Sequence, residues 1–212
     1  MKRAIVLFVI SMLISSISYS QKLENLDQIS PFHDGLAAVK KGNQWAFIDN
    51  VGQKTIDFRN DLVVGKKCEM LCCTNGPQIT YPFFRDGLAL VSETKDGITH
   101  YGFINKSGEI AIEPNLINAA HFSEGKAIVQ KYYKQNLGKN DVLGKNMISY
   151  SYNEVVINTI GEVIMHLSGP FNLLYSKEKL KTPPAISSRL MNNNLVAIKS
   201  KNDTWEVRTI NK

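Results

Sequence analysis

Residues 31–52 read PFHDGLAAVKKGNQWAFIDNVG, and residues 83–108 read FFRDGLALVSETKDGITHYGFINKSG. Phe32, Gly35, Leu36, Ala37 and Val39 recur as Phe84, Gly87, Leu88, Ala89 and Val91, and more loosely as Phe122, Gly125, Ala127 and Val129. Downstream of them, Trp45, Phe47, Ile48 and Gly52 recur as Tyr101, Phe103, Ile104 and Gly108. A third copy keeps Val156, Ile157 and Gly161 within VVINTIGEVI, and a fourth keeps Leu195, Ala197 and Trp205. Recurrence at several linked positions is a far stronger signal than any single motif, and it marks a chain built from repeated supersecondary units.

Each copy predicts three short strands. GLAAV and GLALV are too short and too rich in small residues for a helix, and Asp-Gly and a polar turn bound them. In WAFID and YGFIN the alternation puts Trp45 and Phe47 on one face and Ala46 and Ile48 on the other. The small residue at the site of Ala46 and Gly102 predicts close approach of another strand or ring. DNVGQ, NKSGE and NTIGE each set a glycine at the end of a tight turn, where a positive φ is open to it. A third strand follows in KTIDF, EIAIEP and EVIMHL. The fold class is therefore all-β, with repeated short three-stranded meanders forming a solenoid-like or propeller-like array. Phe32, Gly35, Trp45, Phe47, Gly52, Phe84, Gly87, Tyr101, Phe103, Gly108, Phe122, Gly125 and Gly161 are its structural framework.

The pattern F..[DE]GLA.V followed by [WY][AG]FI[DN]..G resembles the bacterial WG-repeat family, also called KWG repeats. The resemblance is clearest over residues 27–130, is weaker over 154–165 and survives as a fragment at 191–212. Ala46 departs from the family's glycine, Tyr101 replaces tryptophan before Gly102, and the last two copies lose the Trp-Gly pair. The resemblance implies an all-β repeat protein, commonly exported, that binds or scaffolds and has no catalytic residues to carry over.

The N-terminus, MKRAIVLFVISMLISSISYSQ, has Lys2 and Arg3, then an apolar run thinning into serines. That order is the pattern of a secretory signal peptide over residues 1–20, with cleavage expected between Ser20 and Gln21. The run is short and serine-broken for a bilayer span, and no later segment is apolar enough to cross a membrane. The expected location is periplasmic or extracellular, with a repeat domain over 21–212 whose units span 27–64, 78–120, 121–167 with an insertion, and 186–212 in degenerate form.

The whole chain has 25 basic and 19 acidic residues, net +6, and loss of Lys2 and Arg3 with the leader lowers this to +4. The lysines are scattered, which argues against nucleic acid as a partner. Asp34, Asp86 and Glu124 each precede a repeat glycine. A turn explains them through the local preference for Asp beside Gly, whereas acid–base chemistry would need two of them at one reacting bond.

Two insertions distinguish the copies. VVGKKCEMLCCTNGPQ holds Cys68, Cys72 and Cys73. In an exported protein a disulfide from Cys68 to Cys72 or Cys73 would staple this loop, with unpaired cysteines as the alternative. Zinc is disfavoured with three thiols and no adjacent histidine. The second insertion, KYYKQNLGKNDVLGKNMISYSYNE, sets Lys131, Tyr132, Tyr133, Tyr150 and Tyr152 close together. Such a patch can recognise a protein or a cell-envelope glycan, or can be a long hairpin covering its neighbour. The two LGK segments do not make a phosphate loop, because five residues separate Gly138 from Gly144 and Asn146 follows Lys145. His33, His100, His121 and His166 belong to no metal motif, and no serine sits in a nucleophile elbow. The expectation is a non-enzymatic binding protein with no cofactor and no metal. A purely structural envelope protein and a secreted hydrolase are the alternatives.

Overall fold

The computed structural model describes residues 23–65, 80–95, 97–139, 144, 146–173, 183–200 and 202–210. The leader and all three cysteines lie outside the described residues. Strands β1 (Gln28–His33), β2 (Leu36–Lys41), β3 (Gln44–Ile48) and β4 (Lys54–Arg59) form one antiparallel sheet in chain order. Seven strands form the second sheet: β5 (Phe84–Arg85), β6 (Leu88–Lys95), β7 (Ile98–Asn105), β8 (Ile110–Ala119), β9 (Lys126–Lys139), β10 (Asn146–Asn158) and β11 (Val163–Asn172). The third contains β12 (Arg189–Asn192), β13 (Leu195–Lys199) and β14 (Trp205–Thr209). The meander repeats of the sequence are thus present, but among the described residues no sheet closes on itself. The propeller-like alternative is corrected to an open series. Among the described residues, no helix is long and apolar enough to cross a membrane.

The turns follow from local chemistry. Asp34 and Gly35 have φ of 51° and 83°, Asp86 and Gly87 52° and 78°, and Glu124 and Gly125 53° and 77°. Two residues at positive φ make the hairpin turn whose twist suits antiparallel strands, and Asp-Gly is a favoured pair for it. The second turn of each unit is closed by a side chain. Asp49 Oδ1 accepts from Val51 and Gln53 N–H, Asn105 Oδ1 from Ser107 and Glu109, and Asn158 Oδ1 from Ile160 and Glu162. The recurring Asp/Asn of FID, FIN and VIN is therefore a turn acceptor.

The small residue between the aromatic and the phenylalanine is set by a bulge in the next strand. On β7, Tyr101 and Phe103 pair with Leu116 and Ile112, so a step of two residues faces a step of four. The extra backbone arches over Gly102, where a Cβ would lie 2.5 Å from the Ile112 carbonyl oxygen and 2.7 Å from Pro114 N. In the first unit Trp45 and Phe47 pair with Arg59 and Ile56, a step of three, and Ala46 fits. In the third, Glu154 and Val156 pair with Ser168 and Met165, again a step of three, and Val155 itself pairs with His166, so a branched side chain fits. Glycine thus stands under the deepest of the three bulges, and larger residues under the two shallower ones.

Strand alternation gives each unit two faces, and the faces stack. Leu36, Ala38, Trp45, Phe47 and Ile56 pack on Phe84, Ala89, Val91 and Ile104. Leu88, Leu90, Tyr101, Phe103 and Ile112, from the opposite face of the second unit, pack on Phe122, Ala127, Val129, Val155 and Ile157. Ile128, Val156 and Leu167 then pack on Val196, Ile198 and Ile210. The second sheet folds over its own core at β8, whose first half pairs with β7 and whose second half pairs with β9. At the first two junctions a phenylalanine meets the next unit's phenylalanine edge-on: Phe47 to Phe84 at 4.7 Å and Phe103 to Phe122 at 4.8 Å. Each such pair adds about 1 kcal/mol beyond its area burial. Phe32 differs from its equivalents: it is 53% exposed, whereas Phe84 and Phe122 are 1% exposed. No preceding unit among the described residues covers it.

Candidate functional site: an aromatic row on the long hairpin

Strands β9 and β10 have 14 and 13 residues, against six and five for β2 and β3. The second insertion is therefore an elongated hairpin. Its register pairs Tyr132 with Tyr152, Tyr133 with Ser151 and Lys131 with Asn153. Paired residues share a face, so the tyrosine patch is split. Tyr132 and Tyr152 continue the face of Gln130 and Glu154, while Lys131 and Tyr133 point to the reverse. By strand alternation Tyr150 falls on the side of Tyr152.

Two further rings extend the first group across the sheet. Phe171 of β11 lies 5.2 Å from the Tyr152 ring, and His100 of β7 lies 5.6 Å from Tyr132. Phe171, Tyr152, Tyr132 and His100 thus form a row across the outer surface of the folded sheet. Neither Phe171 nor His100 was marked by the insertion's sequence, because the register of β11 on β10 brings Phe171 there and the path of β8 between β7 and β9 brings His100. Burial raises the Tyr152 phenol above its usual range, with the Glu154 charge adding to it, so the hydroxyl stays protonated at neutral pH. Burial, then Lys95, lowers His100 against the opposing charge of Glu93. Its Nδ1 is buried without a hydrogen-bond partner among the described residues.

The row begins where the cover of the third unit ends. Glu154 is 1% exposed and occupies the repeat position of Trp45 and Tyr101. It accepts from Ser188 N–H at 2.6 Å and from the Ser187 N–H and hydroxyl at 3.1 Å. Gln130 Nε2 donates to the Ala185 carbonyl at 3.0 Å, and Asn118 Nδ2 to that of Pro184 at 2.8 Å. These polar groups fasten residues 184–188 across the sheet and leave the tyrosines beyond that strap. A lone acid inside the apolar run EVVI was the signal for this anchor.

Trp45 and Tyr101 are buried within the cores, so the repeat aromatics serve packing. The Asp34 and Asp86 carboxylates accept from the Gly87 and Gly125 N–H groups, each at 2.8 Å. His33 Nε2 is 3.4 Å from the Tyr81 hydroxyl, and His121 stacks on Phe83 at 4.1 Å. Burial, then Arg85, lowers His121 to about 4, which keeps it neutral. His166 lies on β11 opposite Val155. These histidines and acids share no pocket with a serine among the described residues, and there no group of three His, Cys, Asp or Glu is placed to hold a metal. The Cys68, Cys72 and Cys73 pairing falls outside the described residues.

The family described as WG containing repeat matches residues 25–45 and 101–134. No curated protein and no solved structure matches the chain. The first match runs through the Asp34-Gly35 turn to Trp45, and the second runs from the clamped Tyr101-Gly102 strand into the long hairpin. In these two stretches the chain is similar to the WG-repeat family.

Proposed function

We propose that this chain is an exported, non-enzymatic repeat protein that binds a protein or cell-envelope component, and that the row Phe171–Tyr152–Tyr132–His100 is the surface it uses. The open, solenoid-like stacking of units supplies a rigid base. The observation that carries the proposal is the contrast between the two kinds of aromatic residue. Trp45 and Tyr101 are consumed by the cores, whereas Tyr132 and Tyr152 stand paired on a hairpin longer than stacking requires. Tyrosine presents a flat apolar ring and a hydroxyl at low conformational cost, which suits recognition of peptide backbones and sugar faces alike.

The test is capture of envelope and extracellular material by the purified protein, against a Tyr132→Ala/Tyr152→Ala variant whose fold is checked by circular dichroism. A partner retained by the wild type and lost by the variant is expected. No partner for either protein would favour the purely structural reading, and equal capture by both would place binding elsewhere.

A further inference from the structure

Proline, bulges and short length are the usual devices that keep an edge strand from pairing with another chain. β1 carries Pro31 and a register shift between Ile29 and Phe32. β4 and β12 shift register against their neighbours, β5 has two residues, and β11 contains Pro170 and repeated shifts. β14 has none of these devices. Trp205, Glu206, Val207, Arg208 and Thr209 pair with β13 in unbroken register. Its counterparts β3, β7 and β10 each have a strand on both sides, whereas among the described residues β14 has β13 alone. The ladder's phase shows which backbone groups face away from β13. Ile210 N–H donates to the Asn194 carbonyl at 2.7 Å, and Ser200 N–H to that of Thr204 at 2.8 Å. Hydrogen-bonded and non-hydrogen-bonded pairs alternate along antiparallel strands. The backbones of Glu206 and Arg208 therefore turn toward β13 as those of Thr204 and Ile210 do, and the N–H and C=O groups of Trp205, Val207 and Thr209 point outward.

We propose that β14 pairs antiparallel with β14 of a second copy about a two-fold axis at Val207, joining the third sheets of two chains into one. The occupant is argued from the strand's self-complementarity. With Val207 facing Val207, Trp205 lies opposite Thr209 of the second copy, and Glu206 lies opposite its Arg208. The outward backbone groups of Trp205, Val207 and Thr209 then form the hydrogen-bonded pairs. Glu206 and Arg208 fall at the non-hydrogen-bonded pairs, where side chains approach more closely and opposite charges stabilise. Within one chain these two side chains already bond each other at 2.7 and 2.9 Å, both largely in solvent, so the second copy meets them without burying an unpaired charge. Trp205 is 47% and Val207 54% exposed. The pairing sets Val207 on its own copy and each indole diagonal to the Val207 of the second copy. The contact is isologous, so it closes at the dimer.

Sedimentation velocity over a concentration series, on protein purified from cells expressing the full chain, tests this. The wild type passes from monomer to dimer and stops there. Val207→Pro removes an outward N–H that β13 does not use, so it abolishes the dimer while the circular dichroism spectrum is retained. Glu206→Arg and Arg208→Glu each set like charges opposite one another and weaken the dimer roughly tenfold. Both changes in one chain restore it, as does an equimolar mixture of the two single variants. These exposed charges decide the matter should Val207→Pro not fold. A wild type that stays monomeric, or that associates past the dimer, overturns the proposal. So does a folded Val207→Pro protein that dimerises like the wild type, single charge variants that dimerise as tightly as the wild type, or a doubly exchanged chain that stays as weak as the single variants.

Discussion

The backbone N–H of Gly87 donates to the Asp34 carboxylate across 2.8 Å, so the turn of one unit holds the turn of the next. Gly125 and Asp86 repeat the bond at the same distance. The Lys106 ammonium also donates to the Asp34 carbonyl. The recurring acid therefore has two duties: it tolerates a positive φ, and it accepts from the adjacent turn. Asn can do both, and Ala neither. Asp34→Ala should cost about 1–2 kcal/mol, and Asp34→Asn less than about 0.5 kcal/mol, in urea melts. Equal losses for the two variants would show that the inter-turn bond contributes nothing measurable.

Gly102 and Ala46 occupy one repeat position under bulges of different depth, so reciprocal changes should be unequal. A Cβ on Gly102 meets backbone atoms of Ile112, Glu113 and Pro114 at 2.5–2.9 Å. Those atoms cannot rotate away as a side chain would. Gly102→Ala should cost roughly 2–3 kcal/mol, whereas Ala46→Gly should cost only about 0.5–1 kcal/mol, the flexibility penalty of glycine in a strand. Denaturant midpoints of the two variants decide it. A Gly102→Ala protein as stable as the wild type would mean that β8 flattens at no cost.

The sequence made the turns and the alternation legible because their chemistry is local. Asp-Gly at positive φ and Asn closing its own turn need no distant partner. The bond from Gly87 to Asp34 joins positions 53 apart, and nothing in either turn announces the other. Repeat equivalence also says nothing about what lies outside the array, which is why Phe32 resembles Phe84 in sequence and differs from it in exposure. The tyrosine patch was legible as a composition. Its division between two faces required the register of β9 on β10, and the rings of Phe171 and His100 came from strands on either side of it.

Glu154 is the anchor on which residues 184–188 rest. Its removal strands the Ser187 and Ser188 N–H groups beneath the strap, while Gln at the same position still offers one acceptor. Glu154→Ala should destabilise by roughly 2–4 kcal/mol and Glu154→Gln by about 1–2 kcal/mol. Hydrogen exchange gives the sharper readout. The amides of Ser187, Ser188 and β12–β14 should lose protection in Glu154→Ala, with β2 and β3 unchanged. Uniform loss across both ends would mean that the strap and the first unit unfold together.

His121 gives the stack an acid-sensitive joint between the second and third units. Its folded pKa of about 4 lies below the ordinary value of 6.5, through burial first and Arg85 second. The folded state therefore resists the proton that the unfolded chain accepts. The corresponding stability is fully present above pH 6.5, is lost progressively as pH falls from 6.5 to about 4, and falls no further below that. A shift of this size is worth roughly 3 kcal/mol at most, and the partial exposure of the residue argues for about half of that. His121→Phe retains a ring against Phe83 and removes the proton site. The difference in unfolding free energy between pH 7 and pH 4.5 should therefore shrink by roughly 1–2 kcal/mol relative to the wild type. Carboxylates titrating in the same range contribute equally to both proteins and cancel in that comparison. A His121→Phe profile parallel to the wild type would assign the acid sensitivity to other groups.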